Sequence, residues 1–332
     1  AAAEDLQLMS VLPELILTAE SAAARTFRNQ ACDTVRALVT LLGNDARSDR
    51  DQTTIRLPIL ARLADSVRRF SMHRNERLVE AFLSCATWSD ADLRKFLSDD
   101  GMPTQICKQL MESQHPSVIG LLSGYIRRRN VKERVSRIIQ RRQDPAFRDQ
   151  FLATIGNEPT QTVLKNLADL GLPECCRGGE ELLSEVPADC LGALAHVHVA
   201  CSSDYIATLH LIAGIVERGG ESVLLSATSA LSRCEVPNAE SWMRAALHLT
   251  EVGEPEVRDD ETARLLKRLI ALLDHRDADL NRSVRGVIRS LHTSEMLPLF
   301  QSLRPRSRRR LGRVVMKFDP VSVARVRDGL RH

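Results

Sequence analysis

Apolar residues recur at helical spacing along most of the chain. In 131–139, and again in 264–273, Val, Ile and Leu lie three, four, seven and eight residues apart, which places them on one side of a helix. Strict alternation, the pattern of a half-buried strand, is nearly absent. Its one short example, 196–200, lies inside a longer helical pattern. The chain is therefore predicted to be all-α.

Prolines and glycines divide this pattern into short helices. Prolines stand where a first helical turn would begin, a position that tolerates a missing N–H, and Gly43, Gly156, Gly171 and Gly253 lie near the ends of apolar segments, as helix C-caps do. Pro58 is expected to kink or delay one helix, and Ser89, with Asp92 three residues on, is expected to cap another. About eighteen to twenty helices of roughly 10–18 residues are predicted. The prolines at predicted helix starts are Pro103, Pro116, Pro145, Pro159, Pro187, Pro237, Pro255, Pro305 and Pro320.

Many short helices joined by short links are typical of a stack of antiparallel pairs. Several segments begin with a polar residue and proline and then become apolar at helical positions. They are 115–126, 144–155, 158–170, 254–266 and 319–330.

These segments resemble the HEAT/armadillo class of α-solenoid repeats, and the segment 277–291 does so most fully. There Asp279 precedes Val284 and Arg285 at the spacing of the HEAT signature. The resemblance implies a right-handed α-solenoid of HEAT-like antiparallel helix pairs, in which Asp279 and Arg285 form a ladder between repeats. The domain prediction is one repeat domain over 1–332, with 1–100 and 101–332 as two possible continuous sub-stacks.

A shorter segment, 114–126, is similar to a helix in the middle domain of flagellar rotor switch proteins, which is itself an armadillo-like repeat. His115, Pro116 and Ser123 match that helix, whereas Gln114 stands in place of a glutamate. The resemblance implies a possible role in a motor or secretion complex.

The composition indicates a globular protein, because 43% of residues are hydrophobic and 27% charged. Eight cysteines are present without the spacing of a disulfide framework, which predicts a reduced, cytoplasmic protein. No run approaches the roughly 20 apolar residues of a membrane helix, and no signal peptide is visible at the start. No membrane partner is therefore expected.

Positive charge is concentrated in two blocks. From Glu256 onward there are eighteen Lys/Arg against ten Asp/Glu, in a chain of net charge +3. The segment 304–317 carries seven Lys/Arg and no acid, and 126–142 carries eight against Glu133 alone. On a helix beginning near Pro305, the cations fall opposite the apolar residues. The residues predicted to bind a partner are Arg127, Arg128, Arg129, Arg134, Arg137, Arg306, Arg309, Arg310, Arg313 and Lys317.

Three interpretations of these basic blocks stay open. They could be solvated helix faces paired within the molecule, a surface for an acidic protein, or a grip on a nucleic-acid backbone. Most solvated faces mix charges of both signs, so acids from a neighbouring helix or from a partner are expected to neutralise these cations. Aromatic residues make up only 4% of the chain, too few for the stacking that single-strand binding needs, so nucleic acid would be held by its phosphates.

The Cys and His residues of 175–201 have ligand chemistry suited to zinc but not zinc spacing. His196 and His198 would lie about 200° apart on a helix, and only His198 and Cys201 could share a metal. These residues are expected to be packed helix residues, with no metal or cofactor bound. They are Cys175, Cys176, Cys190, His196, His198 and Cys201.

No catalytic motif is found, and the chain is predicted not to be an enzyme. Some HEAT-like DNA glycosylases hold a flipped base among rings and carboxylates, but here Trp88, Asp90 and Asp92 are joined by only one further Trp, Trp242. The predicted function is a scaffold or adaptor that binds another protein on the surface of the helical stack. The alternative is a nucleic-acid-associated HEAT-like protein that uses the basic helices 127–142 and 304–317 on the phosphate backbone. The oligomeric state is left open.

Overall fold

The computed structural model describes residues 10–44, 52–98, 102–179, 181–202, 205–231, 233 and 276–290. These residues form sixteen α-helices with three 3₁₀ turns and one π-helical turn, and no strand occurs among them. The all-α prediction is confirmed for this part of the chain. None of its helices is both long enough and apolar enough to span a lipid bilayer.

The chain divides into two units. One comprises Ala1–Thr154 and Pro173–Cys175, and the other Ile155–Leu172 and Cys176–His332. The sequence-based description of 1–332 as one repeat domain, with sub-stacks 1–100 and 101–332, stays a prediction.

The first unit contains ten described helices, the last of which ends at its boundary. They are α1 (Leu12–Ser21), α2 (Arg25–Asn44), α3 (Leu57–Arg68), α4 (Phe70–His73), α5 (Glu76–Cys85), α6 (Ala91–Phe96), α7 (Thr104–Glu112), α8 (Pro116–Gly124), α9 (Glu133–Arg141) and α10 (Pro145–Ile155). The core of this unit surrounds α5, which packs against α2, α3, α7 and α8. Seven of its ten residues are buried, among them Leu78, Val79 and Phe82.

The second unit contains six described helices. They are α11 (Gln161–Leu170), α12 (Leu182–Glu185), α13 (Leu191–Cys201), α14 (Tyr205–Arg218), α15 (Glu221–Leu231) and α16 (Ala278–Ser290). Its central helix is α13, which packs against α11, α14 and α15 and is buried at every position from Leu191 to His198. The alternating segment 196–200 is therefore helical, as predicted.

The prolines and glycines that were predicted to divide the helices lie at or near helix ends within the described residues. Pro116 and Pro145 are the first residues of α8 and α10. Gly156 and Gly171 follow α10 and α11 with φ of 72° and 73°, a conformation that favours glycine. Pro58 lies in the first turn of α3, directly after the π-helical turn Gln52–Arg56, so it delays that helix.

One predicted helix start is wrong. Ser89 was expected to cap the helix that contains Asp92, but the N-cap of α6 is Asp90. The Ser89 hydroxyl instead lies 2.8 Å from the Thr87 hydroxyl. The physical reason is that the Asp90 carboxylate is drawn into a buried ion pair with Arg56, which sets where the turn ends and the helix begins.

Candidate functional site

The basic block 126–142 forms an exposed surface on the first unit. Its residues follow the end of α8 through a 3₁₀ turn, Tyr125–Arg127, and a non-helical link, and then enter α9. The predicted helical conformation of 127–142 is therefore correct only for Glu133–Arg141. We call the six exposed arginines of this region the arginine surface. It consists of Arg127, Arg128, Arg129, Arg134, Arg137 and Arg141.

The inner side of α9 holds the arginine surface in place. Val135, Ile138 and Ile139 are buried, so this helix packs through one face and presents the other to solvent. Residues 134, 137 and 141 fall within about 60° of one another around the helix, beside the buried face. The sequence analysis did not select Arg141, although helical spacing alone would have placed it with Arg134 and Arg137.

Arg127 and Arg137 of the arginine surface contact neighbouring groups of the same unit. Arg127 donates through Nε and Nη2 to the carbonyl oxygen of Thr154, near the C-terminal end of α10, where a cation is favourable. Arg137 pairs with Glu133 one turn earlier. Within the part of the chain that the structure describes, Arg129, Arg134 and Arg141 form no ion pair.

Arg142 belongs to the core, although it stands in the same block. It is 1% exposed and donates to the carbonyl oxygens of Leu110 (2.9 Å) and Ser113 (2.7 Å). Its Nε pairs with Asp144 at 2.6 Å, and the guanidinium stacks on the Phe147 ring. Arg142 therefore caps the C-terminal end of α7 and is not available to a partner.

Two aromatic rings support the link before α9. Trp88 packs on Tyr125 with 4.4 Å between ring centroids, and Trp88 Nε1 donates to the carbonyl oxygen of Leu121 at 2.7 Å. The Tyr125 hydroxyl accepts a hydrogen bond from the Lys132 amide. Tyr125 is buried, so its ring anchors the link and is not presented to a nucleic-acid base.

The carboxylate beside Trp88 is also structural. Asp90 accepts two hydrogen bonds of 2.8 Å from the Arg56 guanidinium, and both side chains are less than 10% exposed. Burial by itself would raise the pKa of Asp90, but the hydrogen bonds from Arg56 and Thr87 outweigh it and the pKa is lowered. A carboxylate held ionised by a buried arginine is a poor general acid.

His115 is the centre of a polar cluster that sequence analysis did not foresee. Its Nε2 lies 3.1 Å from the Thr40 hydroxyl, which itself donates to the Arg36 carbonyl oxygen, so Nε2 is the donor. Its Nδ1 accepts from the Ser117 amide and thereby caps α8. Burial, assisted by Arg36 and opposed by Glu80, lowers the pKa of His115.

This cluster joins helices and does not form a nucleophilic pair. The Ser84 hydroxyl lies 3.1 Å from His115 Nδ1 but donates to the Glu80 carbonyl oxygen at 2.9 Å. Glu80 uses its carboxylate on Arg36 and Ser113. Since Nδ1 already accepts an amide proton, no base is free to activate the serine. The cluster ties α2 and α5 to the start of α8, and His115 is one of the three residues that match the rotor switch helix.

The histidines of α13 contact two different chain segments. His196 Nε2 lies 3.2 Å from the Asn157 carbonyl oxygen, and His198 Nε2 lies 2.9 Å from the Cys176 carbonyl oxygen. Cys201 donates to the Leu167 carbonyl oxygen. Among the described residues, no group of three or more His, Cys, Asp or Glu side chains could hold a metal ion.

Burial controls the protonation of these side chains. It lowers the pKa of His196 and of His198 to about 4, with Arg233 adding to the effect at His196, and it raises the pKa of Cys201 to about 12. The histidines are therefore neutral near pH 7, and the Cys201 thiol is unreactive.

The remaining predicted site residues are distributed as follows. Asp279, in the first turn of α16, pairs with Arg282 of the same helix at 2.6 Å. The side chain of Arg285 lies outside the described residues, so the Asp279–Arg285 ladder stays a prediction. The second basic block also lies outside the described residues. Its predicted partner-binding residues are Arg306, Arg309, Arg310, Arg313 and Lys317.

Comparisons of this chain with protein-family models, curated proteins and solved structures gave no match. No family is therefore assigned, and the resemblance to HEAT repeats stays a prediction.

Proposed function

We propose that this chain is a non-enzymatic scaffold that binds an acidic surface of another protein through the arginine surface. The observation that supports this most directly is the unpaired charge of Arg129, Arg134 and Arg141 beside a rigid helix. Like charges on one helix face repel one another unless nearby carboxylates neutralise them. Within the described residues, Glu133 pairs with Arg137 of this surface.

The proposed architecture is a right-handed α-solenoid of HEAT-like pairs. Its support is that helices pack mainly on helices close to them in the chain, as α1 does on α2 and α3, and α13 on α14 and α15. A repeat stack has this property because each pair contacts only its neighbours. Such stacks offer long surfaces for protein partners, an argument from fold analogy.

A non-enzymatic role is supported by how the chemically capable side chains are used. Asp90 is committed to Arg56, His115 to the start of α8, and the two buried histidines of α13 to backbone carbonyl oxygens. Each of these groups stabilises packing between helices. The seven described cysteines are free thiols, which fits the proposed cytoplasmic location.

An acidic protein fits the arginine surface better than a nucleic acid does. The geometry of a guanidinium group matches both carboxylates and phosphates, so charge alone does not distinguish an acidic protein from a nucleic acid. Base stacking would add affinity for a single strand, but Tyr125 is buried and Trp88 is packed on it. A nucleic acid would be left with phosphate contacts alone.

The test is binding of three labelled probes by fluorescence anisotropy at about 50 and 200 mM salt. The probes are a polyglutamate peptide, a DNA duplex and a DNA single strand. The variants are Arg134→Glu/Arg141→Glu and the control Arg94→Glu/Lys95→Glu, which makes the same charge change at two exposed residues of α6.

We expect polyglutamate to bind the wild type and the control, and to bind the first variant at least tenfold more weakly. Tighter binding of either DNA than of polyglutamate, lost in the first variant, would replace the acidic protein with a nucleic acid. No binding of any probe would reject the arginine surface as a docking site.

A further inference from the structure

Three arginines of the arginine surface form a regular row along α9. Arg134, Arg137 and Arg141 stand at positions i, i+3 and i+7. At 1.5 Å rise per residue, their Cα atoms are spaced about 4.5 Å and then about 6 Å along the helix axis, over a total of about 10.5 Å. Their side chains leave the helix within about 60° of one another.

The row has a rigid base. Behind it, Val135, Ile138 and Ile139 are buried, and the next residue after α9 is the fully buried Arg142. At the other end, the Lys132 amide donates to the Tyr125 hydroxyl. Because α9 is held at both ends and along its inner face, the spacing of the three Cα atoms is set before any partner arrives.

A second α-helix repeats this spacing. Asp or Glu residues at i, i+3 or i+4, and i+7 of a helix lie on one face with the same rise per residue. An extended acidic peptide places same-face residues about 6.6 Å apart at every step, and so loses register along the row. Matched spacing allows each guanidinium to hold a carboxylate in a bidentate pair, the strongest form of this contact.

We propose that the partner presents an acidic α-helix, whose Asp/Glu stripe lies along Arg134, Arg137 and Arg141. This inference rests on the proposed function and specifies its partner. Arg137 exchanges Glu133 for a carboxylate of the partner, and since the pair with Glu133 is exposed on both sides, the exchange opposes binding only weakly. Arg129 lies before the row and adds long-range attraction.

The test compares two helical peptides of about 18 residues with identical composition. In the stripe peptide, the glutamates stand at i, i+3, i+7, i+10 and i+14. In the scrambled peptide, the same glutamates are spread around the helix. Circular dichroism first establishes that both peptides have equal helix content. Binding is measured by anisotropy to the wild type, to Arg134→Glu/Arg141→Glu and to Arg94→Glu/Lys95→Glu, with the two DNA probes alongside.

We expect the stripe peptide to bind at least tenfold more tightly than the scrambled one, and this preference to disappear in Arg134→Glu/Arg141→Glu only. Equal binding of the two peptides would overturn the helical partner while leaving an acidic partner in place. Failure of both peptides, together with binding of DNA, would overturn the proposed function as well.

Discussion

At the scale of single residues, the buried charges of the first unit act as joints between helices. Arg56 and Asp90 bring the residues before α3 to the start of α6, and Arg56 also donates to the Cys85 carbonyl oxygen at the end of α5. Arg142 likewise joins the end of α7 to Asp144, the residue before α10. Removing one partner of such a pair leaves the other buried and unpaired, which costs more than the pair itself contributes.

Asp90→Asn is expected to lower the free energy of unfolding by about 3 kcal/mol, because the Arg56 charge loses its buried counter-ion. The matched control is Asp92→Asn, two residues away. Asp92 pairs with Arg68 at 2.5 Å, but both side chains are about one-third exposed or more, so this control should cost at most about 1 kcal/mol. Urea unfolding followed by circular dichroism measures both, and equal losses would contradict the role given to Asp90.

The buried histidines of α13 make stability depend on pH. Their pKa is about 4 in the folded chain, against an ordinary value of 6.5, so between these values the unfolded chain binds more protons. Stability is therefore full above about pH 6.5 and is lost as the pH falls toward 4, by on the order of 3 kcal/mol per histidine.

Urea midpoints measured from about pH 7 to about pH 4 test this. We expect His198→Gln to reduce the acid loss by close to half, since the amide group can still donate to the Cys176 carbonyl oxygen but does not titrate. A variant with the same pH dependence as the wild type would show that acid acts elsewhere.

At the scale of elements, close approach of two helices decides the packing of the second unit. A Cβ on Gly192, in α13, would lie 2.4 Å from Asn157 Oδ1 and 2.6 Å from Ser226 Cβ of α15. Only a glycine lets these segments approach so closely. In the same region, the Ser226 hydroxyl donates to the Asn157 carbonyl oxygen at 2.7 Å. His196 Nε2 contacts the same carbonyl oxygen.

Gly192→Ala is expected to destabilise the chain by about 1–3 kcal/mol, because the added methyl group overpacks the contact between α13 and α15. Gly120→Ala is the control. Gly120 is also inside a helix, but its Cβ would meet nothing within 4 Å, so alanine should stabilise by about 0.5–1 kcal/mol. Thermal or urea unfolding of the two variants should therefore shift in opposite directions, and a shift of the same sign would refute the close-packing argument.

At the scale of the whole molecule, the two units have separate cores, one around α5 and one around α13. Local stability follows local packing. A destabilising substitution in one core should therefore increase local unfolding in that unit first.

Hydrogen exchange measured by mass spectrometry tests this separation. Asp90→Asn should speed exchange in peptides from α3, α5 and α6 while leaving α13 and α15 unchanged, and Gly192→Ala should do the reverse. Equal acceleration in both units by either variant would mean that the chain unfolds as one cooperative body.

The sequence by itself determined the features that depend on local order. The helical period, the proline starts at 116 and 145, and the glycine ends at 156 and 171 were predicted, because they follow from the conformations that each residue allows. The concentration of arginines in 126–142 was also visible, and helical spacing was enough to put Arg134 and Arg137 on one side.

Only the tertiary structure decided which of these residues are available and which are committed. Arg141 and Arg142 are adjacent and identical in type, yet one is exposed and the other buried beneath α7 and α10. The N-cap of α6 is Asp90 and not the expected Ser89, because Arg56, more than thirty residues away, lies beside Asp90. The physical reason is that burial and pairing depend on which distant segments pack together, and the hydrophobic pattern of a helix does not specify which other helices it contacts.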